Sequence, residues 1–252
     1  MTKKRNRPRK KTGSVLQKDM KAAIKEVAKR VPKERTFAKM ENAIIQEETQ
    51  PVKLRSVPIM WGIPMDELMF SKFFANFINL NMMPWDLRSV SEGTYLPHAR
   101  NAIHNSFIKS SVEWLMMLDS DVLPHPWIVE NLMAHNKDLV GGWYKDKTPV
   151  KRKGGKLLHP TVYDSYVIDE DDGFPYYNFF DRPGEGLQEV AGIGAGCILM
   201  KKGLAEALGE NPYHTNFGVG EDLVMCKKVT DLGYKIFVDW NLYCKHAGVG
   251  SV

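Results

Sequence analysis

Nowhere in the 252 residues does an apolar run reach the roughly 20 residues that a membrane-crossing helix needs. The first residues lack the apolar stretch of a secretory leader, so the cytoplasm is the expected compartment. Cysteine is scarce, and Cys197, Cys226 and Cys244 stand far apart. No CxxC pair is present, which removes the common zinc and dithiol signatures. Three small core thiols in a reducing compartment are the expectation. Acidic residues are nearly missing from the first forty positions, where three Asp/Glu face fifteen Lys/Arg, a net of +12. The remaining residues carry twenty Lys/Arg and twenty-seven Asp/Glu, a net of −7, so the overall +5 describes neither part. A basic arm joined to a mildly acidic body is the expected organisation.

Residues 1–13, MTKKRNRPRKKTG, are too charged to bury a core and are expected to be disordered. Ser14 and Gln17 then have capping-box spacing. Leu16, Met20, Ala23, Val27 and Val31 recur at helical intervals until Pro32 stops the run. Lysines fill the other faces of this helix. Its apolar stripe suits packing on the body, and the tail before it suits contact with a polyanion or an anionic membrane surface. The division expected is an arm over residues 1–54 and one domain over residues 55–252.

From Arg55 onward, apolar runs alternate with helical patterns. Residues 56–64, 86–91, 113–118 and 138–144 read as strands. Residues 65–80, 96–111 and 125–135 read as the helices between them. Such alternation predicts an α/β fold with a parallel sheet covered on both faces. After Lys145 the pattern turns to hairpins and loops. A strand is expected over 189–200 and another over 235–240, with helices over 202–208 and from Glu221.

The chemistry begins where residues 113–118 end. Asp119 and Asp121 follow that apolar run directly. In an open parallel sheet, ligands bind beyond the carboxyl ends of the strands. A spacing of two along extended chain sends both carboxylates to one side, where they repel unless a cation lies near. Oxygen ligands of this kind suit Mg²⁺ or Mn²⁺ shared with phosphate oxygens. The plainer alternative is that Ser120 or Asp121 caps the next helix. Glu221 and Asp222 open a helix after a glycine-rich turn, where capping alone would also favour acids. His246 follows the last strand, at the same side of the sheet.

Taken in order, these motifs resemble a GT-A fold glycosyltransferase, of the compact kind related to the large inverting family. HARNAI (98–103), MMLDSDV (116–122), DLVGGWY (138–144), VAGIGAGCILMKKGLAEAL (190–208), GEDLVMCKKVTDLGYKIFVD (220–239) and HAG (246–248) carry the resemblance across most of residues 55–250. It implies a Rossmann-like, mixed and mostly parallel sheet flanked by helices, with the basic arm in front. It implies a metal held by Asp121 and His246, with Asp119 on the ribose or reaching the metal through water. Arg100 and Asn101 would lie with the donor, Arg100 forking onto a phosphate. Gly142, Gly194 and Gly196 would let backbone approach the donor closely. Asp222 would be the general base of an inverting transfer, with Glu221 on sugar or acceptor. The donor implied is a nucleoside-diphosphate sugar, a UDP-sugar by frequency in that family.

The resemblance supplies no acceptor domain, so acceptor choice is expected from residues 146–190 or from the arm. Tyr176, Tyr177, Phe179 and Phe180 are candidates for stacking on sugar or base. Fifteen basic residues in forty favour DNA as the polymeric acceptor. DNA bearing hydroxymethylated pyrimidines offers the needed hydroxyl, as for a viral DNA-modifying enzyme working in the host cytoplasm. A glycan, lipid-linked or protein acceptor is the alternative. Two other classes compete. A nucleotidyltransferase should carry a glycine-rich basic loop after the first strand, where residues 61–70 read WGIPMDELMF. A non-catalytic DNA-binding protein on a decayed body should have lost Asp119, Asp121, Asp222 or His246, and it has not.

Overall fold

The computed structural model describes residues 55–65, 71–92, 95–147, 150–152, 155–168, 175–216 and 218–247. All belong to the unit Val52–Val252. The expected arm helix lies outside the described residues, as do the acidic residues 169–172, which read as a solvated turn, and the link between Met65 and Ser71.

The chain lays down β1 (Met60–Met65), α1 (Ser71–Phe77), β2 (Leu87–Glu92), α2 (Leu96–Lys109), β3 (Trp114–Leu118), β4 (Val122–Leu123), α3 (Ile128–Ala134) and β5 (Leu139–Trp143). Two hairpins follow, β6 (Val150–Arg152) with β7 (Gly155–Leu157) and β8 (Val162–Ile168) with β9 (Pro175–Phe179). The remainder is β10 (Leu187–Val190), β11 (Gly192–Ile193), β12 (Cys197–Lys201), α4 (Lys202–Leu208), α5 (Glu221–Asp231), β13 (Ile236–Tyr243) and β14 (Lys245–His246).

Seven strands form the central sheet in the order β10-β13-β5-β12-β3-β1-β2. β2, β1, β3, β5 and β13 point one way, while β12 and β10 run antiparallel to their neighbours. The sheet is therefore mixed and mostly parallel. The antiparallel β12 brings its first residues to the same edge where β1, β3, β5 and β13 end. One edge of the sheet thus collects five chain segments.

Alternation along β3 explains the two-sided core. Leu115 and Met117 pack on one face with Ile103, Phe107, Leu204, Met225 and Val229, under α2, α4 and α5. Trp114, Met116 and Leu118 pack on the other with Phe73, Ile128 and Leu132, under α1 and α3. Cys197, Cys226 and Cys244 are all buried and free of disulfides. No helix of the described residues is long and apolar enough to cross a membrane.

Three expectations need correction. The run 189–200 is not one strand. It breaks into β10, β11 and β12, because β11 leaves the main sheet to pair with β8. The parallel sheet read from alternation carries an antiparallel strand at its centre, because the described chain between β5 and β12 holds short strands and no crossover helix; the mixed, mostly parallel sheet that the resemblance implies is what forms. The last strand runs past Trp240 to Tyr243, and its register against β5 shifts between Val238 and Tyr243. That shift turns the chain toward β14.

Charge at the domain's first residues was missed altogether. Arg55 is buried and pairs with Asp86 and Glu130. Asp86 also accepts from Trp61 Nε1 at 3.0 Å and from the Met83 amide at 2.9 Å. Burial raises the Asp86 pKa, but Arg55 and these donors outweigh it and leave the carboxyl below its usual range.

Candidate active site

Asp119 leaves the end of β3, and its amide donates to the Gly196 carbonyl at 3.0 Å. Three residues on, the chain forms β4, which pairs antiparallel with β14 through His246↔Val122. The Ala247 amide donates to the Asp121 carbonyl at 2.7 Å. This small two-stranded sheet brings residues 125 positions apart into one site. His246 Nε2 lies 3.4 Å from Asp121 Oδ1.

The other ring nitrogen fixes the tautomer. His246 Nδ1 faces the Lys145 carbonyl at 2.7 Å, and a carbonyl only accepts, so Nδ1 carries the proton. Nε2 faces the Asp121 carboxylate, where it donates a hydrogen bond when protonated and, without that proton, offers its lone pair beside the carboxylate to a metal ion. Lys147 also contacts Asp121. Burial raises the Asp121 pKa, but His246 and Lys147 more than compensate and hold it below the usual value. Asp121 does not cap the following helix. α3 starts at Ile128 and has no side-chain cap.

Asp119 belongs to a second cluster. Arg100, from the buried face of α2, places Nη2 at 2.9 and 2.8 Å from the two Asp119 oxygens. Its Nη1 contacts Glu221 at the start of α5. Only 2% of Arg100 is exposed, so the guanidinium is spent on protein carboxylates and does not face the cleft. Burial lowers the Arg100 pKa, but Asp119, Asp222 and Glu221 raise it more, so its charge is permanent. Among the described residues no three His, Cys, Asp or Glu groups gather as a metal cage. Asp121 and His246 come together, and Asp119 stands with Arg100. Two protein ligands still fit Mg²⁺ or Mn²⁺, which take the rest of their shell from phosphate and water. Four carboxylates (Asp119, Asp121, Glu221, Asp222) against Arg100 and Lys147 leave two net negative charges for such a cation to balance.

Asp222 differs from its neighbours. Its Oδ1 accepts from the Leu223 amide at 2.8 Å. Burial pushes its pKa up, Arg100 pulls it down, Glu221 and Asp119 push it up again, and the result is about 6. A carboxylate at that value is mostly ionised at neutral pH yet basic enough to take a proton.

Other candidates are held by the protein itself. Asn101 clasps the backbone of Tyr213, donating to its carbonyl at 2.7 Å and accepting from its amide at 2.9 Å. A Cβ on Gly142 would lie 2.8 Å from the Leu242 carbonyl, so this glycine serves close strand packing. A Cβ on Gly194 or Gly196 would lie 2.5 or 2.6 Å from the Tyr144 hydroxyl, and the second also 2.7 Å from Asp119 Oδ2. Both glycines make room for Tyr144. This tyrosine, which sequence reasoning overlooked, accepts from the Gly196 amide at 3.0 Å and packs edge-on against His246. Its signal was the aromatic that closes DLVGGWY. Lys147 gave no signal. Phe179 stacks on His159 and Phe180 packs on Trp240, whereas Tyr176 is exposed and Tyr177 lines a cavity beside α5.

A cleft of about 260 Å³ opens at this edge, between Pro64 and Met65 of β1, Leu96 and Ala99 of α2, and Asp119 to Asp121. It is the carboxyl-end crevice of an open sheet. Solved structures share the fold. The viral protein A197 from STIV superposes with a TM-score of 0.54 at 17% identity, over 75% of this chain and 85% of that one. GalNAc-T7, crystallised with UDP, GalNAc and Mn²⁺, superposes with a TM-score of 0.52 at 10% identity. That match covers 76% of this chain and 44% of GalNAc-T7. The fold is GT-A. No protein-family model and no curated protein sequence matches the chain. The likeness is one of GT-A architecture, since these identities carry no residue-level correspondence.

Proposed function

We propose that this protein is a metal-dependent glycosyltransferase that moves a sugar from a nucleoside diphosphate, a UDP-sugar first, to an acceptor hydroxyl. One juxtaposition supports this above all. Asp121 and His246 Nε2 meet at the mouth of the cleft, while Asp222, with a pKa near 6, stands across the Arg100 bridge. GalNAc-T7, of the same fold, is known with UDP and Mn²⁺, which agrees with such a donor.

Asp121 and His246 would hold Mn²⁺ or Mg²⁺, which when bound neutralises the charge that develops on a leaving diphosphate. The Lys145 carbonyl keeps the His246 ring turned with Nε2 free for that role. Arg100 fixes Asp119 and Glu221 relative to one another, so the donor-side and acceptor-side carboxylates keep one spacing. Asp222 takes the proton from the acceptor hydroxyl as its oxygen bonds to the anomeric carbon. The bond from that carbon to the diphosphate oxygen breaks, and its electron pair leaves with the diphosphate. This assignment is for inversion.

For the acceptor we propose a hydroxymethylated pyrimidine in DNA, with residues 1–54 as a basic tether. The test offers UDP- and GDP-sugars with Mn²⁺, with and without DNA containing 5-hydroxymethylcytosine or 5-hydroxymethyluracil, and weighs the nucleosides by mass spectrometry. A hexose-sized gain on the modified base is expected. Donor hydrolysis without transfer to DNA would move the acceptor to a glycan, lipid or protein. Neither binding nor hydrolysis of any sugar nucleotide would refute the transferase reading and leave a DNA-binding protein on a silent GT-A body.

A further inference from the structure

A second cavity, of about 200 Å³, lies beside the first turns of α5. It shares no lining residue with the cleft that holds Asp119 and Asp121. Asp222 itself lines neither, but it lies next to a residue of the second on α5. Its neighbour Leu223 lines the second cavity and accepts there from the Tyr177 hydroxyl at 3.0 Å. The charge of Asp222 acts on Arg100 and Tyr144, and also on Tyr177 of the cavity wall. With the donor assigned to the cleft by the proposed function, the cavity on the other flank of the α5 start is left for the group that gives up its proton.

The lining tells what chemistry fits. Tyr166 and Tyr177 meet edge-to-face at 5.1 Å and form an aromatic wall. Lys227 and Lys228 follow one turn along α5, and His214 faces them from the preceding loop. Among the described residues no Asp or Glu lines the cavity. Lys227 sits 5.1 Å from the centre of the Tyr166 ring and pairs with Asp231 outside. That exposed pair is weak, so an incoming anion can replace Asp231. A cavity of about 150 Å³ accommodates a benzene ring, so this one has room for a single substituted six-membered ring.

We propose that this cavity is the acceptor subsite and takes one pyrimidine nucleotide of a phosphodiester chain, its ring against Tyr166 and Tyr177 and its phosphate against Lys227 and Lys228. The inference rests on Asp222 as the base, and it locates acceptor recognition in the body and not only in the arm. Ring stacking on tyrosine and charge-assisted contacts to lysine are the ordinary means of holding single nucleotides.

The experiment uses the full chain and two small acceptors, 5-hydroxymethyl-2′-deoxycytidine and its 5′-monophosphate. A single phosphate engages few of the charges of a basic arm, so the comparison reports on the cavity. Binding is read by calorimetry without donor, and transfer by steady-state kinetics. The parent is expected to bind the nucleotide about tenfold more tightly than the nucleoside, the scale of one charge-assisted contact. The double variant Lys227→Gln, Lys228→Gln should lose that preference, and Tyr166→Ala should weaken both compounds alike. Circular dichroism confirms that each variant is folded. Equal binding of the two compounds by the parent, or an unchanged preference in the lysine variant, overturns the subsite. Donor hydrolysis by the parent is measured in parallel. Its absence would refute the transferase reading, whereas a lysine-dependent nucleotide preference would still support the cavity as a nucleotide site.

Discussion

Asp222→Asn separates what Asp222 does for catalysis from what it does to the fold. The carboxyl is pushed from 3.8 to about 6, first by burial. Two units at 1.36 kcal/mol each correspond to about 3 kcal/mol against the ionised form in the native state. Asparagine keeps the oxygen that accepts from the Leu223 amide at 2.8 Å and removes the charge beside Glu221 and Asp119. The sign follows from linkage. The native state binds this proton more tightly than the unfolded chain, so the penalty is absent below the unfolded value of 3.8 and grows as pH rises through about 6. Urea unfolding of the donor-free protein should therefore find the variant more stable than the parent at about pH 8, by up to about 3 kcal/mol. The gain should shrink through pH 6 and vanish near pH 4. Over the same range the parent's kcat should rise to a plateau above about pH 6, and the variant should lose that limb together with about 10²- to 10⁴-fold in kcat. A variant that is less stable at every pH, or a stability difference that ignores pH, would refute the assignment of Asp222 as a desolvated, charge-crowded base.

Arg100→Met leaves Asp119 and Glu221 unpaired beside a buried position, which should destabilise the fold by about 3–5 kcal/mol in thermal or urea melts. Arg100→Lys should recover little, because one ammonium cannot bridge both carboxylates. Gly194→Ala sets a methyl 2.5 Å from the Tyr144 hydroxyl, an overpacking expected to cost about 1–3 kcal/mol. Adding Tyr144→Phe should return part of that loss, and a double-mutant cycle without coupling would show that the clash is relieved elsewhere. Asp121→Asn should weaken Mn²⁺-dependent donor binding by at least about tenfold while the melting temperature stays within a few degrees. Titration of donor binding against Mn²⁺ checks this, and full metal dependence in the variant would exclude Asp121 as a ligand.

The strand ends and the helices around them were legible because their patterns are local. β3 ends within a residue of its expected place because five apolar residues stop at Asp119. α2 and α5 start where HARNAI and GEDLVMC indicated. The pairing of Asp121 with His246 was legible only through resemblance, since no local rule links positions 121 and 246. Tyr144 was overlooked, and its place beside Gly194 and Gly196 depends on β12 entering the sheet antiparallel between β3 and β5.

Arg100 marks the divide most sharply. In the sequence it is a cation on a helix leading to a phosphate site, and a fork onto phosphate follows. Burial of that face of α2 against the sheet instead turns it to Asp119 and Glu221, nineteen and 121 positions away. The sequence by itself determined the period of each element, the charge division near residue 40 and the identity of the acids available to the site. Tertiary structure alone decided which acids meet which cations, because electrostatic partners depend on distances between segments that the folded sheet brings together. The same folding removed water from both Asp121 and Asp222, and their partners set them apart: His246 and Lys147 lower the first, while Glu221 and Asp119 raise the second.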